Sequence, residues 1–190
     1  MLAKTIREHT ILGIDPGTNI MGYAVLHTAG NKVDLIDFGI LDMRKEEMYY
    51  ARLQRIFFFT QEIIERYDPT ELAIESQFVQ MNIQSTLKLG KGQGVAIAAA
   101  LAKDLPINEY APLKIKMAIT GNGQASKEQV ADMLQRMLKI PDDMMPKKLD
   151  ATDALACAYC HFLQIDRPFN TGKSYSGWKD FINKNPGKVH

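Results

Sequence analysis

Apolar residues cluster in three early stretches, residues 10–14, 21–27 and 33–41, and turn-forming residues separate them. The first break is Asp15-Pro16-Gly17-Thr18-Asn19, and the second contains Gly30 and Asn31. Short apolar runs punctuated in this way predict strands joined by tight connections, here an antiparallel meander. The period then changes. Across residues 46–67, Leu53, Ile56, Phe57, Ile63, Ile64 and Tyr67 recur at helical steps, which predicts an amphipathic helix that stops before Asp68-Pro69.

Residues 71–75, with Leu72, Ala73 and Ile74, form a brief apolar run whose polar last residue, Glu75, would arrive at a sheet edge. A second helix is expected over 85–103 and a short strand over 107–111. Ser126 and Gln129 make a capping-box pair ahead of Val130, Met133, Leu134, Met137 and Leu138, so a third helix starts at Ser126 and Pro141 stops it. A last helix is expected over 149–164. The order βββ-α-β-α-β-α-α predicts an α/β domain with a mixed five-stranded sheet, its first three strands antiparallel, flanked by helices. This pattern suits a ribonuclease H-like fold.

Composition adds limits rather than a function. In 190 residues, 46% hydrophobic and 24% charged side chains suit one soluble domain with a real core. The domain is expected over 1–166, with 167–190 as a basic tail. No apolar run approaches the ~18 residues of a membrane span, and residues 1–9 lack the apolar stretch of an export signal, so a cytoplasmic protein without membrane contact is expected. The formal charge is +1. It is uneven, with residues 1–75 carrying a net −4 and residues 76–149 a net +4. Such a chain can tolerate a phosphate backbone if cations offset its acids.

The candidate chemistry lies in four acids. Asp15 follows an apolar strand where the chain leaves the sheet, although a turn aspartate bonded to its own backbone explains it equally well. Glu75 ends a buried strand, where a carboxylate is costly unless paired or bound to a cation; alternatively it points to water. Asp150 and Asp153, three apart at a helix start, share a face and can reach one cation, yet first-turn acids are also common for dipole reasons. Together they form an all-oxygen donor set suited to Mg²⁺ or Mn²⁺ rather than zinc. Two such ions roughly 4 Å apart can activate a water and stabilise the leaving oxygen of a phosphodiester.

Five segments then carry a resemblance: residues 11–18 (Ile-Leu-Gly-Ile-Asp-Pro-Gly-Thr) with Gly22-Tyr23; 72–76 (Leu-Ala-Ile-Glu-Ser) with Phe78; 85–90; 94–97; and 150–156 (Asp-Ala-Thr-Asp-Ala-Leu-Ala). In this order and spacing the chain resembles the RuvC family of Holliday-junction resolvases from residue 11 to about residue 164. The resemblance implies a homodimer that nicks four-way DNA junctions symmetrically, leaves 5′-phosphate and 3′-hydroxyl ends, and works beside a RuvA–RuvB branch-migration complex. It implies two Mg²⁺ ions per site, with Mn²⁺ able to substitute, held by Asp15, Glu75, Asp150 and Asp153. Some relatives carry His where Asp153 stands.

It also implies that Phe78 stacks on bases near the cut, against its alternative as a core residue. Lys116 and Lys127 match basic positions at the scissile region. Lys88 and Lys91 can add phosphate contacts, although lone lysines are more often solvated surface charges.

Other readings compete. Cys157-Ala-Tyr-Cys160-His161 fits a haem-attachment pattern, but two small buried hydrophobes and a helix-end histidine explain it cheaply. Gly90-Lys-Gly92-Gln-Gly94 hints at a phosphate loop but follows no evident strand, and close backbone approach is the simpler account. The Asp-Pro-Gly-Thr turn is also compatible with an ATP-dependent phosphotransferase of the actin and sugar-kinase type, which needs two such lobes. A catalytically inactive junction-binding module is the remaining alternative. In the tail, Tyr175, Trp178 and Phe181 interleave with Lys173, Lys179 and Lys184, a composition compatible with nucleic acid or a partner surface.

Overall fold

The computed structural model describes residues 7–77, 82–146 and 148–165. The expected tail over 167–190 and the Phe78 position lie outside the described residues. Strand β1 (Glu8–Asp15) pairs antiparallel with β2 (Ile20–Ala29), and β2 pairs antiparallel with β3 (Lys32–Asp42). On its other side β1 runs parallel to β4 (Glu71–Glu75), which in turn runs parallel to β5 (Ile107–Tyr110). The five strands lie in the order β3-β2-β1-β4-β5. This is the mixed ribonuclease H-like sheet that the apolar pattern predicts.

Alternation along the strands divides the core in two. Leu12, Ile14, Val25, Leu72 and Ile74 pack with Ile56, Ile63 and Ile64 of α1 (Tyr49–Tyr67) and Ala96 and Ala100 of α2 (Ile83–Leu101). Ile11, Ala24, Leu26 and Ala73 face the other way. They meet Ile115 and Ile119 of α3 (Pro112–Thr120), Val130 and Leu134 of α4 (Lys127–Leu138), and the small residues of α5 (Asp150–Ile165). Among the described residues no helix is long and apolar enough to cross a membrane.

Three corrections concern helices. α3 was not anticipated: nine residues after β5 fold as a helix with Pro112 in the first turn, Ile115 and Ile119 buried four apart, and Gly121 closing it at φ 71°. It is too short for a strong periodic signal, and packing against α4 and α5 sustains it. α2 starts earlier than residue 85, because Asn82 is the cap and its side chain accepts a hydrogen bond from the Ser85 backbone N–H at 3.2 Å. α1 in turn begins at Tyr49 rather than residue 46. The Glu46 carbonyl accepts from Arg52 Nε at 2.8 Å and its carboxylate from Arg55 at 2.9 Å, so this residue serves the helix from outside.

Helix α5 lies close against the sheet. A Cβ built on Gly13 would fall 2.3 Å from the Ala154 carbonyl oxygen, and one on Gly22 would fall 1.9 Å from that of Asp150. Both strands therefore need glycine where the helix crosses them. The contact at Gly22 fixes the first turn of α5 over the end of β1.

Candidate active site

Strand periodicity decides which way the acids point. Ile11 and Gly13 face α5, so Asp15, two residues further, projects to the same side where β1 ends. Ala73 faces α5 as well, which places Glu75 on that side at the end of β4. Because β1 and β4 run parallel, both carboxylates leave the sheet at one end, under Asp150 and Asp153 in the first turn of α5.

The electrostatics record this meeting. Burial pushes the Asp15 carboxyl up from 3.8 to about 8, helped by the charges of Glu75, Asp153 and Asp150 and opposed by Lys127. Burial likewise lifts Glu75 from 4.5 to about 7, with Asp153 adding to the rise and Lys127 and Lys116 working against it. Asp153 is also raised, first by burial, although its hydrogen bond from Lys127 opposes the shift. Burial alone would lower Lys127, but Asp153, Asp15 and Glu75 hold its ammonium above the ordinary lysine value. Residues far apart in the chain thus share one field.

Lys127 Nζ donates to Asp153 Oδ2. The Asp153 side chain is 12% exposed and that of Lys127 58%, so the lysine covers the carboxylate from the solvent side. Lys116 and Lys127 line a cleft of about 160 Å³ with Glu75 and Asp153, floored by Pro112, Ile115, Val130 and Ala156. α3 supplies Lys116, and the capping box of Ser126 and Gln129 fixes the helix start that carries Lys127. Lys88 and Lys91 stand exposed on α2, each with its ammonium 6.0 Å from the Tyr49 ring centre, and are not part of that cleft.

Among the described residues, no three His, Cys, Asp or Glu side chains are spaced to hold a metal ion. Asp15 is within electrostatic range of the other three carboxylates, and the Lys127 ammonium touches Asp153. The donor chemistry nevertheless fits a hard divalent ion: every candidate ligand is a carboxylate oxygen, and two of the four carboxyls are strongly destabilised in their charged form by burial.

The cysteine pattern resolves to packing, and the close approach expected of the glycine pattern holds only at Gly92. Cys157 and Cys160 are free and buried, and burial holds both thiols above their ordinary range. His161 Nε2 is hydrogen-bonded to Glu71 at 2.7 Å and its Nδ1 to the Tyr110 hydroxyl at 2.6 Å. Gly92 lies on α2 with room only for close approach to Thr18, whereas Gly90 and Gly94 face open space.

The model for the family described as "Crossover junction endodeoxyribonuclease RuvC" matches residues 11–161. The chain belongs to the RuvC family. Its relative in Bacteroides fragilis is 61% identical over 188 residues, spanning 99% of this chain and 100% of that one. The Porphyromonas gingivalis relative is 54% identical over 96% of this chain and 98% of its own length. Both are crossover junction endodeoxyribonucleases. T. thermophilus RuvC in complex with Holliday junction substrate superposes at a TM-score of 0.75, with 30% identity over 82% of this chain and 93% of that structure. A yeast mitochondrial Holliday junction resolvase shares the fold at a TM-score of 0.62 and 15% identity, covering 80% of this chain and 77% of that one. Membership of this family removes the phosphotransferase alternative.

Two features of the site escape sequence reading. One is the Gly22 contact that sets the height of α5. The other is the pairing of Lys127 with Asp153, 26 residues apart in the chain. The resemblance marks Lys127 as a basic position at the scissile region and the capping box fixes where its helix starts, but neither indicates Asp153 as its partner.

Proposed function

We propose that this chain resolves four-way DNA junctions by Mg²⁺-dependent hydrolysis of two phosphodiesters, leaving 5′-phosphate and 3′-hydroxyl ends. The observation that carries the reading is the convergence of Asp15, Glu75 and Asp153 on one another's charge at a single sheet end, beside two lysines. Asp15 and Glu75 are rigidly held by strands, Asp150 and Asp153 by a helix locked against them, and these four residues would hold two Mg²⁺ ions, with Mn²⁺ able to replace them. Bound ions of this kind lower the pKa of a water and offset charge on the leaving oxygen.

The chain's own part is placement. Lys127 neutralises Asp153 in the free protein and, with a divalent ion bound by the carboxylates, would be available to a non-bridging phosphate oxygen. Lys116, in the same cleft, offsets backbone charge. Phe78 is proposed to stack on a base near the cut, and Lys88 and Lys91 to add outer phosphate contacts. A homodimer would present two such sites to a two-fold substrate, with a RuvA–RuvB complex as the proposed partner machine.

The test uses a labelled mobile four-way junction and a linear duplex of the same sequence. With Mg²⁺, paired nicks are expected in the junction while the duplex survives, and EDTA is expected to stop the reaction. Equal cutting of the duplex would refute the selectivity, and undiminished cutting in excess EDTA would refute the metal assignment.

A further inference from the structure

The carboxylate row is flanked on its β5 side by Lys116 and Lys127, and its opposite flank is also basic. β3 ends at Asp42, in register with Ile20 of β2, so it reaches the same end of the sheet as Asp15. Asp42 Oδ1 accepts from the backbone N–H of Arg44 at 3.1 Å and from its Nε at 2.9 Å. Asp42 Oδ2 accepts from Arg44 Nη2 at 2.5 Å and from Lys148 Nζ at 3.3 Å. One carboxylate therefore holds two cations, one from the loop after β3 and one from the residue two before Asp150.

Both are built to be used. A guanidinium has five N–H groups, and the edge spent on Asp42 leaves three directed elsewhere, on a side chain that is 58% exposed. The loop beneath is anchored: Met43 is fully buried, and its N–H donates to the Asn19 carbonyl at 2.8 Å in the turn that follows Asp15. The Asp42 hydrogen bonds and charge hold the Arg44 guanidinium above its ordinary range, and Asp150 adds a smaller pull in the same direction. Asp42 is held well below the usual carboxylate range by its Arg44 hydrogen bonds, so it remains ionised and keeps both cations in place.

We infer that Arg44 and Lys148 are positioning residues that grip the DNA backbone on the β3 flank, a few nucleotides from the bond that is cut. The inference rests on the junction-nuclease reading above. Three strand spacings of about 4.8 Å separate β3 from β4, roughly 14 Å, which sets this pair to meet the backbone farther along the strand than the phosphate beside Glu75. Cations on both flanks hold a strand across the acids, which by themselves repel it.

The experiment measures equilibrium binding of a labelled four-way junction against KCl concentration, in an Asp15→Asn background so that substrate survives, alongside cleavage by the parent chain. Joint replacement Arg44→Ala and Lys148→Ala is expected to weaken binding roughly ten-fold and to make the log–log salt dependence less steep by about two. The charge-keeping pair Arg44→Lys and Lys148→Arg is expected to retain the parent slope, which a purely structural tie between β3 and α5 would not require. Where the double variant melts early, Lys148→Gln alone serves, with an expected slope change of about one. An unchanged slope in a folded variant overturns the inference. A parent chain that does not cut junctions fails the functional reading instead, and the two outcomes are separately visible.

Discussion

Asp15 and Glu75 are acids that the fold buries against each other, and the sign of their effect on stability follows from the direction of their shifts. A carboxyl that binds its proton more tightly when folded contributes stability in full below its unfolded pKa, and that contribution is lost as pH rises through the folded value. For Asp15 the window runs from 3.8 to about 8, and for Glu75 from 4.5 to about 7. In EDTA, the melting temperature is therefore expected to fall between pH 5 and pH 8. Asp15→Asn should flatten that fall and raise melting at pH 8 by at least about 2–4 °C, the shift of ~1 kcal/mol in a domain this size. The same variant should bind junctions and not cut them. A wild-type melting temperature that climbs over this interval would contradict the burial argument, and retained cleavage would remove Asp15 from the mechanism.

Each element contributes one constraint that its neighbours complete. α4 begins on a full capping box, with Ser126 and Gln129 exchanging hydrogen bonds at 3.2 and 2.8 Å, and Lys127 is its first residue. Ser126→Ala should cost about 1 kcal/mol, hence about 2–4 °C of melting temperature. Its single-turnover cleavage should fall less than that of Lys127→Ala, because the cap places the lysine without touching substrate. A loss of rate equal to the Lys127 variant would mean that the cap alone decides the lysine's position. The strands and long helices were legible because their periodicity is set by which face is buried. α3 was not, since a nine-residue helix depends on what it packs against, and it is the element that carries Lys116.

At the scale of the molecule, a two-fold junction asks for two sites, and sedimentation of the purified chain is expected to give the mass of a dimer at micromolar concentration. A monomer under conditions where junctions are cut symmetrically would remove that assumption. What the sequence by itself determined is local: strand and helix periods, caps, the four acids at element ends, and the family-like order of segments. These are properties of residues and near neighbours, and they survive without knowledge of the fold. Only the tertiary structure decided that the parallel pairing of β1 with β4 brings Asp15 and Glu75 to one end. It alone decided that Gly13 and Gly22 let α5 descend until Asp153 shares their field, and that Lys127 reaches Asp153 across 26 residues. The physical reason is that charge coupling and close packing depend on distances in space, which strand pairing sets and sequence spacing does not.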